Sequence, residues 1–506
     1  MTSPQAKTEQ LADLSALVGG AGLSLFGLGT RAMLLYAHSF LMVRLLGSSG
    51  YGIYVLAVAV ITILSQVSEL GLRNSTLRHV AMYASQDDLP RVRGVVRAAV
   101  LFALTVATLI GIILFTAAVP LANTLFGKPE LASAFRLLAP AVPLLALVNI
   151  SIAYTQAFRV MRFKVVVQDL LMPGLELALA LTLVVVGWST RGVLTAFICS
   201  VTIGAGAIVV LSHRLTPWIN ITQNTEWSIR PLFRFALPVL LVDVLLILTA
   251  QVNVLLIGRL MDSQDVGVFN VALQTTFIGM MFLNSVNLIF APTIADLVNR
   301  GETERLLTLY RESTRWVLML ALPLYLGLAL VAHPLMALFG PQFTAGAVPL
   351  IIIASAQIVN VSVGSVGLLI LMSGHPNISL ANAALSLILN ASLNWLLIPR
   401  YGLVGSAVAY GLMITVANLV GLAEVRWLLA LHPFSRDYLK PFLAGGLALL
   451  VVWIISRFLP WPESTLGQLA KLSLFAVIYV LFLLWFGLTQ EDRYIVTRVR
   501  SMIVKS

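Results

Sequence analysis

Cysteine is nearly absent from this 506-residue sequence: Cys199 stands alone, inside an apolar run. No intrachain disulfide can form from it, and neither a redox pair nor a thiolate metal cluster is available. Charge is scarce as well, with 10% charged against 59% hydrophobic side chains. That is too little polar surface to coat a water-soluble globule of this length. Catalytic signatures are missing too: there is no GxxxxGK(S/T) loop, no HExxH and no GxSxG. ATP hydrolysis, zinc-dependent proteolysis and a nucleophile elbow therefore have no basis in the chain. His79, His333 and His375 are too scattered for a metal site. No cofactor and no enzymatic activity are expected. The opening, MTSPQAKTEQLADLSALVGG, has acids but no compact basic region before a short apolar core and cleavage site, so it reads as a mature cytoplasmic tail and not a cleaved signal.

What is present is apolar sequence in long runs. From Leu17 to Leu488, stretches of about 18 or more apolar residues, enough to cross a hydrocarbon core of about 30 Å, recur with short breaks. Such continuous runs exclude a β-barrel, leaving helices as the only spanning form. The runs predict an all-α integral membrane protein of about fourteen helices, at 17–43, 50–72, 98–119, 132–155, 165–187, 192–212, 235–257, 264–289, 314–338, 345–372, 378–398, 403–428, 439–459 and 466–488.

The net charge of +11 has no soluble domain to carry it as a nucleic-acid surface, and the basic residues sit at helix ends. With the N-terminus placed inside, only Arg44, Lys128, Arg136, Arg191, Arg259, Arg400, Arg457 and Lys471 fall on the outer side, against 23 basic residues on the inner side. This asymmetry predicts both termini in the cytoplasm and a location in the cytoplasmic, or inner, membrane. The two longest inner connections, 73–97 and 290–313, are charged and helix-permissive and are expected to lie along the inner surface. No outer connection is long enough for a folded domain, which disfavours a membrane glycosyltransferase or polymerase.

A shift of 215 residues lays Arg44, Leu45, Ser48, Gly52 and Ala57 on Arg259, Leu260, Ser263, Gly267 and Ala272. A shift of 210 residues lays Arg191-Gly192-Val193 on Tyr401-Gly402-Leu403. Helices 1–6 thus correspond to helices 7–12, and because six is even the halves cross the membrane in the same sense. Parallel repeats of this kind relate through an axis along the membrane normal, with a substrate path between them. The expected organisation is an N-lobe at 1–213, a cytoplasmic linker at 214–234, a C-lobe at 235–430, and two extra helices with a cytoplasmic tail at 431–506.

Two stretches resemble a known family. FLMVRLLGSSGYGIYVLAVAVITILSQVSELGLRNSTLRHVA joins an arginine, leucine, glycine and tyrosine-glycine turn to a leucine-glycine-leucine helix end. LMSGHPNISLANAALSLILNASLNWLLIPRYGLVGSAVAYG combines an asparagine-rich helix, a tyrosine-glycine turn after proline, and a helix of small residues. Their order and spacing are similar to those of the polysaccharide biosynthesis transporters, including the Wzx-type oligosaccharide-lipid flippases of the multidrug/oligosaccharidyl-lipid/polysaccharide superfamily. The resemblance covers nearly the whole chain. It implies two six-helix lobes around a cavity, alternating access, and an isoprenoid-pyrophosphate-linked sugar as cargo, with membrane lipid around it. A polysaccharide polymerase and glycosyltransferases are candidate partners. An ion-coupled multidrug or small-molecule antiporter of the same superfamily is the alternative. A membrane enzyme of polysaccharide assembly is a third reading, without candidate catalytic residues.

Candidate transport residues follow from charge at depth and from polar stripes. Arg31 stands near the middle of helix 1, where a charge costs at least ~2.5 kcal/mol on insertion scales. It is either an anchor for a pyrophosphate, to which a guanidinium offers a bidentate fork, or a structural partner of Asp169, Glu176 or Asp243. Those three acids are candidates for ion coupling. Thr62, Gln66, Glu69 and Arg73 follow a helical repeat that predicts one face of helix 2. Helix 8 offers Asn270, Gln274 and Asn284, helix 10 offers Gln357, Asn360 and Gly364, and helix 11 offers Ser386, Asn390 and Asn394. Amides of this kind match sugar hydroxyls, and they serve equally to bind helix to helix.

Overall fold

A chain in hydrocarbon must satisfy each backbone N–H and C=O within itself, so the apolar runs become helices. The computed structural model describes residues 4–158, 160–215, 225–227, 229–458, 461, 464–487 and 489; the side chains of residues 4–32, 35, 289 and 436 are outside that description. In chain order the helices are α1 (Pro4–Ser68), α2 (Leu72–Ala84), α3 (Leu89–Thr116), α4 (Ala118–Pro120), α5 (Glu130–Leu138), α6 (Ala141–Ala157), α7 (Met172–Val185), α8 (Ser189–Leu215) and α9 (Ile229–Leu260). They continue as α10 (Ser263–Arg300), α11 (Thr303–Leu330), α12 (Ala332–Ala337), α13 (Ala347–Val363), α14 (Val366–Met372), α15 (Pro376–Leu429), α16 (Lys440–Phe458) and α17 (Thr465–Trp485). No strand occurs among the described residues.

Eleven helices in the described residues are long and apolar enough to cross a membrane, or twelve with α5 and α6, bent by 43°, taken as one span. The fourteen expected is not reached in that count, in which α15 stands once. At about 1.5 Å per residue, however, the 54 residues of α15 would be about 80 Å long, more than two bilayer cores. Gly402 turns it at φ 55, ψ −134. In α1 the same is done by Gly47 at φ 68, ψ −178, a region essentially reserved for glycine.

Two compact units emerge, one of residues 37–270 with 394–399, the other of residues 1–36, 271–393 and 400–506. In the first, α2 packs on α3, α6 and α9 around Leu72, Val92, Tyr154, Leu232 and Ala236. In the second, α11 packs on α13 through Tyr310, Leu318, Ala354 and Val361. The α16–α17 pair is joined through Ala444, Ala448, Phe475 and Tyr479. Small residues set these distances, because lipid offers no hydrophobic drive for helices to meet. The repeated turns illustrate this. A Cβ on Gly52 would lie 1.6 Å from the Ser263 carbonyl oxygen, and one on Gly267 would lie 2.7 Å from the Ser48 carbonyl oxygen. Residues equated by the 215-residue shift thus contact each other reciprocally, as a twofold relation requires.

Three expectations are corrected. The connection 73–97 does not lie free along a surface: α2 buries Leu72, Thr76, His79, Val80 and Tyr83, because one face of this helix is apolar enough to enter the unit. Residues 290–313 form no separate surface helix either, since α10 and α11 extend to meet at a tight turn at Gly301, φ 70. Nor does Arg73 continue the Thr62–Gln66–Glu69 face. The helix ends at Ser68, and Leu70 (φ 51) and Gly71 (φ 72) reverse the chain.

Candidate functional site

In the unit of residues 37–270, the first polar group forms around Glu176 of α7, which is 7% exposed. Tyr54 donates its hydroxyl to Glu176 Oε1 at 2.5 Å. His38 Nε2 stands 3.4 Å from Glu176 Oε2, within ion-pair reach though outside hydrogen-bond geometry. One turn before Tyr54, Tyr51 donates to Asn270 Oδ1 at 3.0 Å. Spacing of three puts Tyr51 and Tyr54 on one helix face, and the bend at Gly47 separates them from His38 on the preceding segment of α1. A buried carboxylate that accepts from a phenol, with an imidazole within ion-pair reach, is equipped to exchange a proton or hold a cation.

A second group lies where Leu70 and Gly71 end the first long helix. Glu69, 1% exposed, accepts at Oε1 from Asn149 Nδ2 at 2.6 Å. Gln168 Nε2 reaches Asn149 Oδ1 at 3.5 Å. Glu69 Oε2 has no hydrogen-bond partner among the described residues. A Cβ on Gly71 would fall 2.1 Å from the Ala236 carbonyl oxygen, so only glycine lets α9 pass this close. Further along α9, Asp243 accepts from Asn74 Nδ2 at 3.2 Å to Oδ2 and 3.4 Å to Oδ1. The Arg73 guanidinium attracts both Glu69 and Asp243. Gln66 is half-buried nearby in sequence, and Asp169 is half-buried in a π-helical stretch, Lys164–Leu171.

In the other unit the polar residues are mainly amides. Gln357, fully buried, donates to the Tyr410 hydroxyl at 3.4 Å and accepts from Asn360 Nδ2 at 3.0 Å. Asn390 is fully buried, Gln274 half-buried and Asn284 exposed. At Gly364 (φ 69, ψ −140) the helix breaks into α13 and α14. The carbonyls freed there are taken up by Tyr310, which donates to Val363 O, and Tyr438, which donates to Ser362 O, each at 2.7 Å. Non-helical backbone at membrane depth persists where protein groups satisfy it in this way. Asn382 Nδ2 donates to Glu424 Oε2 at 2.6 Å.

The structure therefore gathers Glu176 with Asn270, Glu69 with Asp243, and Gln357 with Asn360. Asn284 joins none of these groups. The Arg31 side chain lies outside the described residues, as do Arg159, the residues beyond 489 and both chain ends. Asn394 donates to Asn253 Oδ1 at 2.9 Å, both fully buried. Sequence reasoning missed His38, Tyr54, Asn149, Tyr410 and Glu424. Asn149 and Glu424 carried a signal, as single polar residues inside apolar runs; the tyrosines did not, since an aromatic residue there reads as core.

Helices long and apolar enough to cross a membrane, with carboxylates and amides buried among them, define an all-helical integral membrane protein. The solved structures agree. The lipid II flippase MurJ in an inward closed conformation superposes with a TM-score of 0.74 over 91% of this chain and 97% of that one, at 12% identity. An inward-facing multidrug resistance MATE family transporter of the MOP superfamily superposes with a TM-score of 0.65 over 79% and 94%, at 16% identity. At such identities the likeness concerns the fold. The family comes from the sequence: residues 41–348 match the model described as polysaccharide biosynthesis protein, and the chain belongs to that family. Among curated relatives, the probable low-salt glycan biosynthesis flippase Agl15 of Haloferax volcanii is 26% identical over 169 residues, 33% of this chain and 36% of that protein. The teichuronic acid biosynthesis protein TuaB of Bacillus subtilis is 26% identical over 204 residues, 39% and 41% respectively. The chain thus spans well under half the length of these two relatives.

Proposed function

We propose that this protein is a flippase that carries lipid-linked oligosaccharides or polysaccharide repeat units, borne on an isoprenoid pyrophosphate, across the cytoplasmic membrane by alternating access. The match of residues 41–348 to the polysaccharide biosynthesis family carries the reading, and the fold shared with a lipid II flippase supports it. Fourteen spans, two six-helix lobes at 1–213 and 235–430, and cytoplasmic termini complete the proposal. The glycan is met by Gln66, Glu69, Asn270, Gln274, Asn284, Gln357, Asn360 and Asn390, and the pyrophosphate by Arg31. Ion coupling falls to the acids within the spans, with Glu176 foremost because a phenol donates to its carboxylate and an imidazole stands within ion-pair reach, and with Asp243 and Asp169 as the further candidates. A polymerase and glycosyltransferases act before and after it in the same assembly. Since the fold is shared with a multidrug transporter, an ion-coupled small-molecule antiporter is the second reading.

Arg31 separates anchor from structural residue. As an anchor, Arg31→Ala abolishes translocation of lipid-linked sugar at near-normal abundance, and Arg31→Lys keeps part of it, since a point charge still attracts phosphate but loses the fork. As half of a buried pair, Arg31→Ala strands a carboxylate at a cost of ~3 to 5 kcal/mol and abundance falls. Transport restored in Arg31→Ala combined with Asp243→Asn would overturn the anchor. Translocation of a small cationic drug, with none of the lipid-linked sugar, would favour the antiporter.

A further inference from the structure

At the end of the first unit remote from Arg91, Arg93 and Arg97, the structure holds a cavity of about 430 Å³ lined by Phe115, Ser133, Arg136, Leu137, Arg191 and Leu194. Phe115 lies 24 residues beyond Arg91 along α3, or about 36 Å at helical rise, so the cavity sits a bilayer's thickness from that arginine-rich end. Its walls come from α3, α5 and α8. Both guanidiniums are exposed, and neither makes an ion pair among the described residues. Trp188, 52% exposed, precedes α8 on the same turn, and exposed tryptophan marks the level of lipid headgroups. Below the arginines, α3 presents Leu109 (55% exposed), Ile112 (56%) and Phe115 (51%) at helical spacing, an apolar track with the chemistry of an acyl chain.

We propose that this cavity is a binding site for an anionic glycerophospholipid, whose phosphate is held by Arg136 and Arg191 while an acyl chain follows the track on α3. Two unpaired guanidiniums over an apolar floor complement a phosphodiester on a hydrocarbon chain. The lining argues against the glycan cargo: besides the arginines only Ser133 is polar, whereas a sugar needs many donors and acceptors. The site rests on the chain crossing a membrane and not on the flippase reading, and its test reads binding rather than transport.

The full-length protein, delipidated in a neutral detergent, is titrated with dioleoyl phosphatidylglycerol, dioleoyl phosphatidylcholine, inorganic phosphate and a polyprenyl pyrophosphate, with binding read by native mass spectrometry and thermal stability. Phosphatidylglycerol is expected to bind and raise the melting temperature, while the zwitterionic lipid and free phosphate do neither. Arg136→Gln with Arg191→Gln is expected to weaken phosphatidylglycerol binding at least about tenfold. Ser133→Glu, which keeps both arginines but adds a negative charge at the exposed rim, is expected to do the same at unchanged basal stability and so covers the case of a poorly folded double variant. Equal binding of phosphatidylcholine, equal stabilisation by inorganic phosphate, or binding unaltered in both variants would each overturn the proposal. Preferential capture of the polyprenyl pyrophosphate, lost in the arginine variants, would overturn it in favour of a cargo site.

Discussion

The two copies of the repeated turn are built on one plan but closed by different chemistry. In the first, Arg44 to Ala57, the chain bends at Gly47 with φ 68, ψ −178 and the helix hardly stops. In the second, Arg259 to Ala272, the position equivalent to Gly47 is Asp262, and α9 ends before α10 begins. There the Asp265 carboxylate accepts from the Asp262 amide at 3.3 Å, and the Asp265 amide donates back to Asp262 O at 3.1 Å. Lys128 closes the opened helix end, donating to Gly258 O at 2.5 Å and Met261 O at 2.6 Å. The same divergence recurs one helix on, where the shift equates Glu69, 1% exposed, with exposed Asn284. The repeat conserves where the backbone turns, and it leaves each half free to carry its own charges.

The largest effect is expected at the contact that both turns share. A Cβ on Gly52 would sit 1.6 Å from the Ser263 carbonyl oxygen and one on Gly267 2.7 Å from Ser48 O, and neither obstacle is a side chain that can swing away. Gly52→Ala should cost about 3 kcal/mol or more, the upper end for overpacking, and Gly267→Ala less. Gly206→Ala, where nothing lies within 4 Å, should be neutral. Membrane abundance and melting temperature of the three variants check this order, and a Gly267→Ala effect exceeding that of Gly52→Ala would break the asymmetry.

Next comes Glu69. Glu69→Ala removes the acceptor of the Asn149 amide and a neighbour of the Arg73 charge, which should cost about 1 to 3 kcal/mol. Thermal melting of Glu69→Ala alone and with Asn149→Leu measures it: if the pair is the cause, the second substitution recovers part of the loss.

Lys128→Met tests the cap that only the second turn has, and about 1 to 2 kcal/mol should go with the two carbonyl bonds. Burial holds the Lys128 ammonium below the usual lysine range, against the pull of Asp262, Glu130 and Asp265. The unfolded chain therefore binds this proton more tightly. Stability from this group rises as pH climbs through the lowered value toward the unfolded one near 10.4, so the gap between wild type and Lys128→Met should widen at alkaline pH. A gap that narrows would refute the desolvated ammonium.

Which parts of this were legible in the sequence follows from what each signal measures. Apolar run length reports the spans, and the 215-residue shift reports the two turns, because both depend on the local chain. The interruptions inside runs were harder. Gly47 and Gly402 stood at expected turns, whereas the break at Gly364 was read as part of a polar stripe, since one glycine in a helix looks the same whether or not the helix yields there. The face running from Thr62 to Arg73 failed for a similar reason, because Leu70 carries no sign of its left-handed conformation. Glu176 and Asp243 were legible by their depth, and Glu69 by its place on a polar face. Their partners His38, Tyr54, Asn149 and Asn74 come from distant segments, and no periodicity links residues 122 apart, as Tyr54 and Glu176 are.

The smallest effect on stability, and the sharpest use of the comparison, belongs to Asn284. It occupies the place of Glu69 in the second half but is exposed, so nothing it touches is left unpaired when it is removed. Asn284→Ala should change stability by no more than about 0.5 kcal/mol, as for a surface site, with a correspondingly small shift in melting temperature. If the amide meets the glycan, translocation of lipid-linked sugar falls while abundance holds, and Asn284→Gln recovers part of it, because the longer amide keeps the same donors and acceptor. Glu69→Ala is expected to lower both quantities, transport by more than folded protein, because its carboxylate holds Asn149 and also stands among the proposed glycan contacts. An Asn284→Ala variant with transport at wild-type level would remove Asn284 from the proposed cargo path and leave the repeat, at this position, with a buried carboxylate in one half and an ordinary surface residue in the other.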